Sequence, residues 1–142
     1  MNNLKRFTEA QYRDYEQALK EIKNGRKESH WMWYIFPQLR GLGRSYTSDF
    51  YGIVDLDEAK AFLQDPYLGK NLQEISEALL NLDSDNATQI MGRPDDMKLK
   101  SSMTLFACAD PKNAVFEKVL EKFYNGRKDG RTLKMLSKES RE

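Results

Sequence analysis

The chain is poor in the residues that carry the commonest cofactor chemistries. It has one cysteine, Cys108, and one histidine, His30. A lone cysteine excludes an intrachain disulfide, and one cysteine with one histidine cannot build a zinc site of the usual kind. No metal and no cofactor is therefore expected. An excess of charge of either sign is lacking as well: 23 basic residues stand against 22 acidic ones, a net charge of +1. Such a balance demands no polyanionic partner, so nucleic acid is not an expected ligand. No apolar run is long enough to span a bilayer. The opening MNNLKRFTEAQ lacks the apolar stretch of a secretory signal. With the single cysteine, these absences predict a cytoplasmic protein and no membrane association. The phosphate-binding patterns GxxxxGKS/T and GxGxxG and the nucleophile pattern GxSxG are missing too.

What is present is helical. The 142 residues are 39% hydrophobic and 32% charged, enough to bury one core under a solvated surface. Thr8 followed by Gln11 has the form of a capping box, with Phe7 and Tyr12 placed as a hydrophobic staple. Tyr12, Tyr15, Leu19 and Ile22 follow at helical spacing, and Asn24-Gly25 is a stop. This predicts a first helix over 9–24. Asp55 and Glu58 repeat the capping pattern before Ala59, Phe62 and Leu63. Asp65-Pro66 closes that helix and opens the next, because proline at the first helical position gives up an N–H that has no partner there anyway. Leu68, Leu72, Ile75 and Leu79 give the new helix its buried stripe. Asp110-Pro111 is read as the same device ahead of Phe116, Val119, Leu120 and Phe123, with Asn125-Gly126 as the stop. Leu133 and Leu136 mark a short last helix, and the polar tail, 137–142, is expected to fray. Alternating strand patterns and hairpin dipeptides are missing. The expected fold is all-α: one compact multi-helix domain over 1–142. The apolar piece Trp31–Phe36 suits a strand or a short buried helix in length. Its helical neighbours favour a helical turn, within a stretch near 30–37 that is irregular or extended.

Two segments can carry chemistry. In the first, 25–45, both tryptophans and the histidine lie among polar groups: Arg26, Lys27, Ser29 and His30 precede Trp31 and Trp33, while Gln38, Arg40, Arg44 and Ser45 follow. Rings that stack beside guanidinium groups that pair with phosphate suit a planar or phosphorylated ligand. The plainer alternative is that the aromatic run is core. In the second segment, 92–110, Pro94 and the acidic pair Asp95-Asp96 mark a helix start. Lys98, Ser101, Ser102 and Thr104 then place polar groups on an apolar helix, where hydroxyls either face a pocket or back-bond to helix carbonyls. Cys108 falls on an apolar face and is read as packing.

The strings SHWMWYIFPQLRGLGRS, RPDDMKLKSSMTLF and VFEKVLEKFYNGRKDGRTLKML resemble the uncharacterised bacterial family called domain of unknown function 1810. The resemblance runs from about Leu4 to Leu136. It implies a mainly α-helical domain and carries no established activity. The family's pattern includes polar residues, namely His30, Gln38, Ser45, Asp95, Lys98, Ser101 and Ser102, which implies a buried hydrogen-bond network or a site.

The expected function is a small-molecule pocket of nucleotide or sugar-phosphate type between the 29–45 segment and the 95–104 helix. Trp31 or Trp33 would stack there. Arg26, Arg40 or Arg44 would hold the anion, with Gln38, Ser45, Lys98, Ser101 and Ser102 as further ligand contacts. His30 and Asp95 are the candidate acid–base pair, which would make the protein a hydrolase of nucleotide-derived or ADP-ribose-like compounds. The alternative is a non-catalytic module in which the Trp31/Trp33 segment binds a protein partner or a second copy of the chain.

Overall fold

The computed structural model describes residues 3–140, with side chains as far as residue 138. Nine helices follow one another among these residues: α1 (Lys5–Lys23), α2 (Met32–Ile35), α3 (Tyr46–Tyr51), α4 (Leu56–Gln64), α5 (Pro66–Leu80), α6 (Ala87–Met91), α7 (Asp95–Ala109), α8 (Val115–Tyr124) and α9 (Gly130–Ser140). The described residues contain no strand. A lone parallel bridge joins Leu39 to Ile53.

Helix α7 is the axis of the fold and packs against α4, α6, α8 and α9, while α1 lies on α5. Its buried residues, from Leu99 through Ala107, surround it on nearly every side, as expected of a helix enclosed by others. The core is one continuous cluster in which Phe7, Phe62, Phe106 and Phe116 are fully buried. Their rings meet in sequence: Phe7–Phe62 at 5.2 Å, Phe62–Phe106 at 5.3 Å and Phe106–Phe116 at 5.9 Å.

Most start and stop signals act as expected. Asp55 accepts the Glu58 amide to cap α4. Asp65 accepts from Tyr67 and Leu68 to cap α5, with Pro66 in its first turn. The Leu68–Leu79 stripe is at most 1% exposed, each such side chain being worth about 1.5–3 kcal/mol of burial. Asn125 takes the left-handed conformation, φ 56°, at the end of α8, and α2 is the helical turn expected of the aromatic run.

Several expectations are corrected. The Thr8 box does not form. Helix α1 begins at Lys5, one turn earlier, and Thr8 donates its hydroxyl to Lys5 O. The extra turn is held from outside the helix, because Arg6 reaches Glu58 and Phe7 enters the core. Gln11, freed from capping, donates to Tyr34 O and accepts from Asn71. Tyr12 is no staple partner for Phe7: it is exposed and rests on Tyr67. Nor does Asp110-Pro111 open a helix. Asp110 ends α7, a turn follows, and α8 begins only at Val115, whose amide Asn113 accepts. The tail expected to fray is helical through Ser140, and Arg141 and Glu142 lie outside the described residues.

Candidate functional site

The segment between α1 and α4 passes the N-terminal end of α7, where Lys27 meets Asp95 and Trp33 meets Lys98, and is tied down at both ends. At its start stands Glu21, 2% exposed on the buried face of α1. Its carboxylate accepts from the amides of Glu28 and Ser29, from the Ser29 hydroxyl, from Gln17 and from the Trp31 indole. Burial pushes this carboxyl up. The converging donors, led by the Ser29 hydroxyl, outweigh burial and bring its pKa down to about 2. Lys27 lies beside it, its side chain 8% exposed. Its ammonium is 2.9 Å from Asp95 and 4.9 Å from the Trp31 ring.

At the other end, Arg6 donates to Phe50 O at 2.7 Å and Gly52 O at 2.8 Å and pairs with Glu58 at 2.8 Å. Glu58 in turn accepts the Val54 amide. The Leu39–Ile53 bridge runs between these anchors, with Ile53 N donating to Gln38 O and Arg40 N donating to Ile53 O. Gly52 makes it possible: a Cβ there would lie 2.6 Å from Arg40 Cα.

This anchoring leaves three hollows in a row. The first, about 430 Å³, is lined by Trp33, Tyr34, Tyr46, Phe50 and Tyr51, with Thr47, Arg13 and His30 beside them. Its rings touch, Tyr34–Tyr51 at 5.0 Å and Phe50–Tyr51 at 4.8 Å. Burial and a hydrogen bond to Asp14 push the Tyr34 phenol up to about 12, so it stays protonated. The second hollow shares Trp33 and Tyr51 with the first and adds Gln38, Ser48 and Lys98. At about 10 Å³ it is roughly the size of one water. The third, about 290 Å³, shares Gln38 and Lys98 with the second and adds Ser101, Asp129 and Arg131. Lys98 thus stands at the middle of the row, its ammonium 5.4 Å from the Trp33 ring and 3.7 Å from Asp95.

The residues singled out in the sequence separate into groups. Trp33, Gln38, Lys98 and Ser101 line the row of hollows, and His30 is exposed at its aromatic end. Asp95 pairs with Lys27 at 2.9 Å, lies 3.7 Å from Lys98 and lines none of the three hollows, so it does not share a hollow with His30. Trp31 is 1% exposed with its indole N–H bonded to Glu21, so it offers no face to a ligand. Ser102 is fully buried in the core. Ser45 caps α3 by accepting the Ser48 amide. Arg40 donates to Asp49 O, while Arg26 and Arg44 are exposed and line none of the three hollows. Sequence reasoning missed Arg13, Tyr46, Tyr51 and Arg131. The pattern Asp129-x-x-Thr132, a helix cap, could have pointed to the turn that carries Arg131. No local signal marked Glu21.

The model of the family described as "Protein of unknown function (DUF1810)" matches residues 1–136. The chain belongs to this family. A solved structure similar to this chain is that of the conserved hypothetical protein Rv1873 from Mycobacterium tuberculosis. It is 46% identical, with a TM-score of 0.93 over 95% of this chain and 96% of that one. No curated protein matches. The family thus supplies the fold and leaves the activity to be argued from the site. No described helix is long and apolar enough to cross a membrane, and no cluster of three metal-ligating side chains occurs among the described residues.

Proposed function

We propose that the protein binds a small molecule of nucleotide or sugar-phosphate type in the row of hollows centred on Trp33. The observation that carries this is the position of that ring. Trp33 is half-buried, lines the aromatic hollow together with His30, and has the ammonium of Lys98 5.4 Å from its ring. An indole held by packing and open on one side is a stacking platform at little entropic cost. A lysine beside it gives a planar ligand's anionic portion a partner.

In a hydrolytic form of this reading, His30 at the aromatic end is the acid–base group, since an imidazole ring carries both a proton donor and a proton acceptor. Asp95, paired with Lys27 at 2.9 Å and 3.7 Å from Lys98, contributes through its charge beside that lysine.

A thermal-shift screen of nucleotides and sugar-phosphates tests the binding. At least one compound should raise the melting temperature of the wild-type protein and fail to raise that of Trp33→Ala. If no compound does so at millimolar concentration, the reading is wrong.

One observation favours a second reading, a protein partner or a second copy of the chain docked at α3. Tyr46 and Phe50, one turn apart on α3, are 82% and 42% exposed, and exposed aromatics beside arginine are frequent interface anchors. Sedimentation of wild type against Phe50→Ser distinguishes it: a dimer that the substitution dissolves supports docking.

A further inference from the structure

We propose that the third hollow is a subsite for a phosphate monoester, so that the ligand of the Trp33 cleft carries a terminal phosphate at this end. The proposal rests on the cleft reading above and adds to it a chemical class and an orientation.

The hollow holds donors that the protein leaves unused. Arg131 is exposed, and its guanidinium has no partner among the described residues. The side-chain amide of Gln38, half-buried between two hollows, likewise has none. Lys98 is only loosely committed, because Asp95 lies 2.9 Å from Lys27 and 3.7 Å from Lys98. Ser101 is 7% exposed and donates to Met97 O at 3.2 Å, a helical back-bond that a better acceptor can replace.

One carboxylate, Asp129, also lines the hollow. Its Oδ2 is occupied by the amide and hydroxyl of Thr132, at 2.9 and 2.6 Å. Two cations therefore face one committed anion. The turn that presents Arg131 is fastened down: Asp129 N donates to Thr104 Oγ1 at 2.8 Å, and that buried hydroxyl donates to Lys100 O at 2.8 Å. Its donors are thus held near the hollow before a ligand arrives.

This donor set matches a phosphate monoester better than a neutral group. The monoester brings close to two negative charges and three acceptor oxygens, which suits an ammonium, a guanidinium fork and an amide NH₂. At about 290 Å³ the hollow has room for one such group and the start of its ester chain.

The test uses matched pairs, AMP against adenosine and glucose 6-phosphate against glucose, titrated calorimetrically into wild type and Arg131→Gln. Arg131 lies at the surface and outside the Trp33 hollows, so the variant should fold and keep the rest of the cleft. The phosphorylated member of a binding pair should bind roughly tenfold or more tightly than its partner. Arg131→Gln should remove most of that advantage and leave the affinity of the unphosphorylated member unchanged. Equal affinities within a pair, or an advantage that survives Arg131→Gln, overturn the subsite while leaving the cleft reading intact. Failure of all four compounds to bind, with no compound of the thermal-shift screen bound either, overturns the cleft reading and the subsite with it.

Discussion

The carboxylate of Glu21 accepts the indole N–H of Trp31 at 2.9 Å. The same oxygen accepts the amides of Glu28 and Ser29 at 2.7 and 2.8 Å, and the other oxygen accepts the Ser29 hydroxyl at 2.6 Å. One side chain of α1 thereby sets the path of the segment that delivers His30 and Trp33 to the cleft. Glu21→Gln replaces one acceptor oxygen by a donor NH₂ facing other donors. It should cost on the order of 2 kcal/mol or more, since buried donors lose their partner. Urea unfolding measures this, and an unchanged midpoint would mean that the network contributes nothing to stability.

The same carboxylate makes stability depend on acid. Its pKa is lowered from 4.5 to about 2 in the folded chain, so between these values the unfolded chain binds more protons. Stability from this group is complete above the unfolded value and is lost as pH falls from 4.5 toward 2. Melting curves at pH 6 and pH ~3 should show a larger drop for wild type than for Glu21→Gln. Equal drops in the two proteins would remove Glu21 as the source.

Glu21 also shows why part of the site was illegible in the sequence. The signals that could be read are local: Asp65-Pro66 caps through its own neighbours, and Leu68 to Leu79 repeat on one face. Where a distant partner decides, the same signals mislead. Thr8 and Gln11 form a cap on paper, yet Arg6 finds Glu58 fifty-two residues away and pulls the helix start back to Lys5. The aromatic run was legible as a feature, and its two tryptophans divide between core and cleft because Glu21 holds the Trp31 indole inside while Trp33 stays half-buried beside Lys98. Gln38, Lys98 and Ser101 were recognisable as polar residues out of place on apolar segments. Arg131 was one arginine among many, because its turn reaches the cleft through distant partners, the Asp129–Thr104 hydrogen bond and the packing of α9 on α7.

The Arg6–Glu58 pair is buried, with side chains 3% and 4% exposed. Removing one partner strands the other charge, so Glu58→Ala should cost about 3–5 kcal/mol. It also frees the Val54 amide and the arginine that holds Phe50 O and Gly52 O, which should loosen the wall bearing Phe50 and Tyr51. The double variant Arg6→Met/Glu58→Leu should be more stable than Glu58→Ala, because no isolated charge remains. Guanidinium unfolding of the three proteins decides it. A double variant less stable than the single would show that the carbonyl contacts of Arg6 outweigh the charge.

Ser102 offers the opposite case. Its hydroxyl is fully buried on α7 without a hydrogen-bond partner, whereas Ser101 and Thr104 back-bond to the helix. Ser102→Ala deletes an unsatisfied polar atom and installs a better helix former, so it should leave stability unchanged or raise it by about 1 kcal/mol. A loss of more than about 1 kcal/mol in urea unfolding would mean that the hydroxyl has a partner after all.

The two tryptophans give the cleft its own spectroscopic test, because the chain has no others. Trp31 is 1% exposed and Trp33 is half-buried on the hollows. In Trp33→Phe only Trp31 emits, and acrylamide or iodide should barely quench it. The wild-type protein should show an additional quenchable component from Trp33, and a compound bound in the cleft should shield that component. A Trp33→Phe protein as quenchable as wild type would place Trp31 in contact with solvent. A binding compound that leaves wild-type quenching unchanged would place the ligand away from Trp33, because a stacked ligand must cover the face that the quencher reaches.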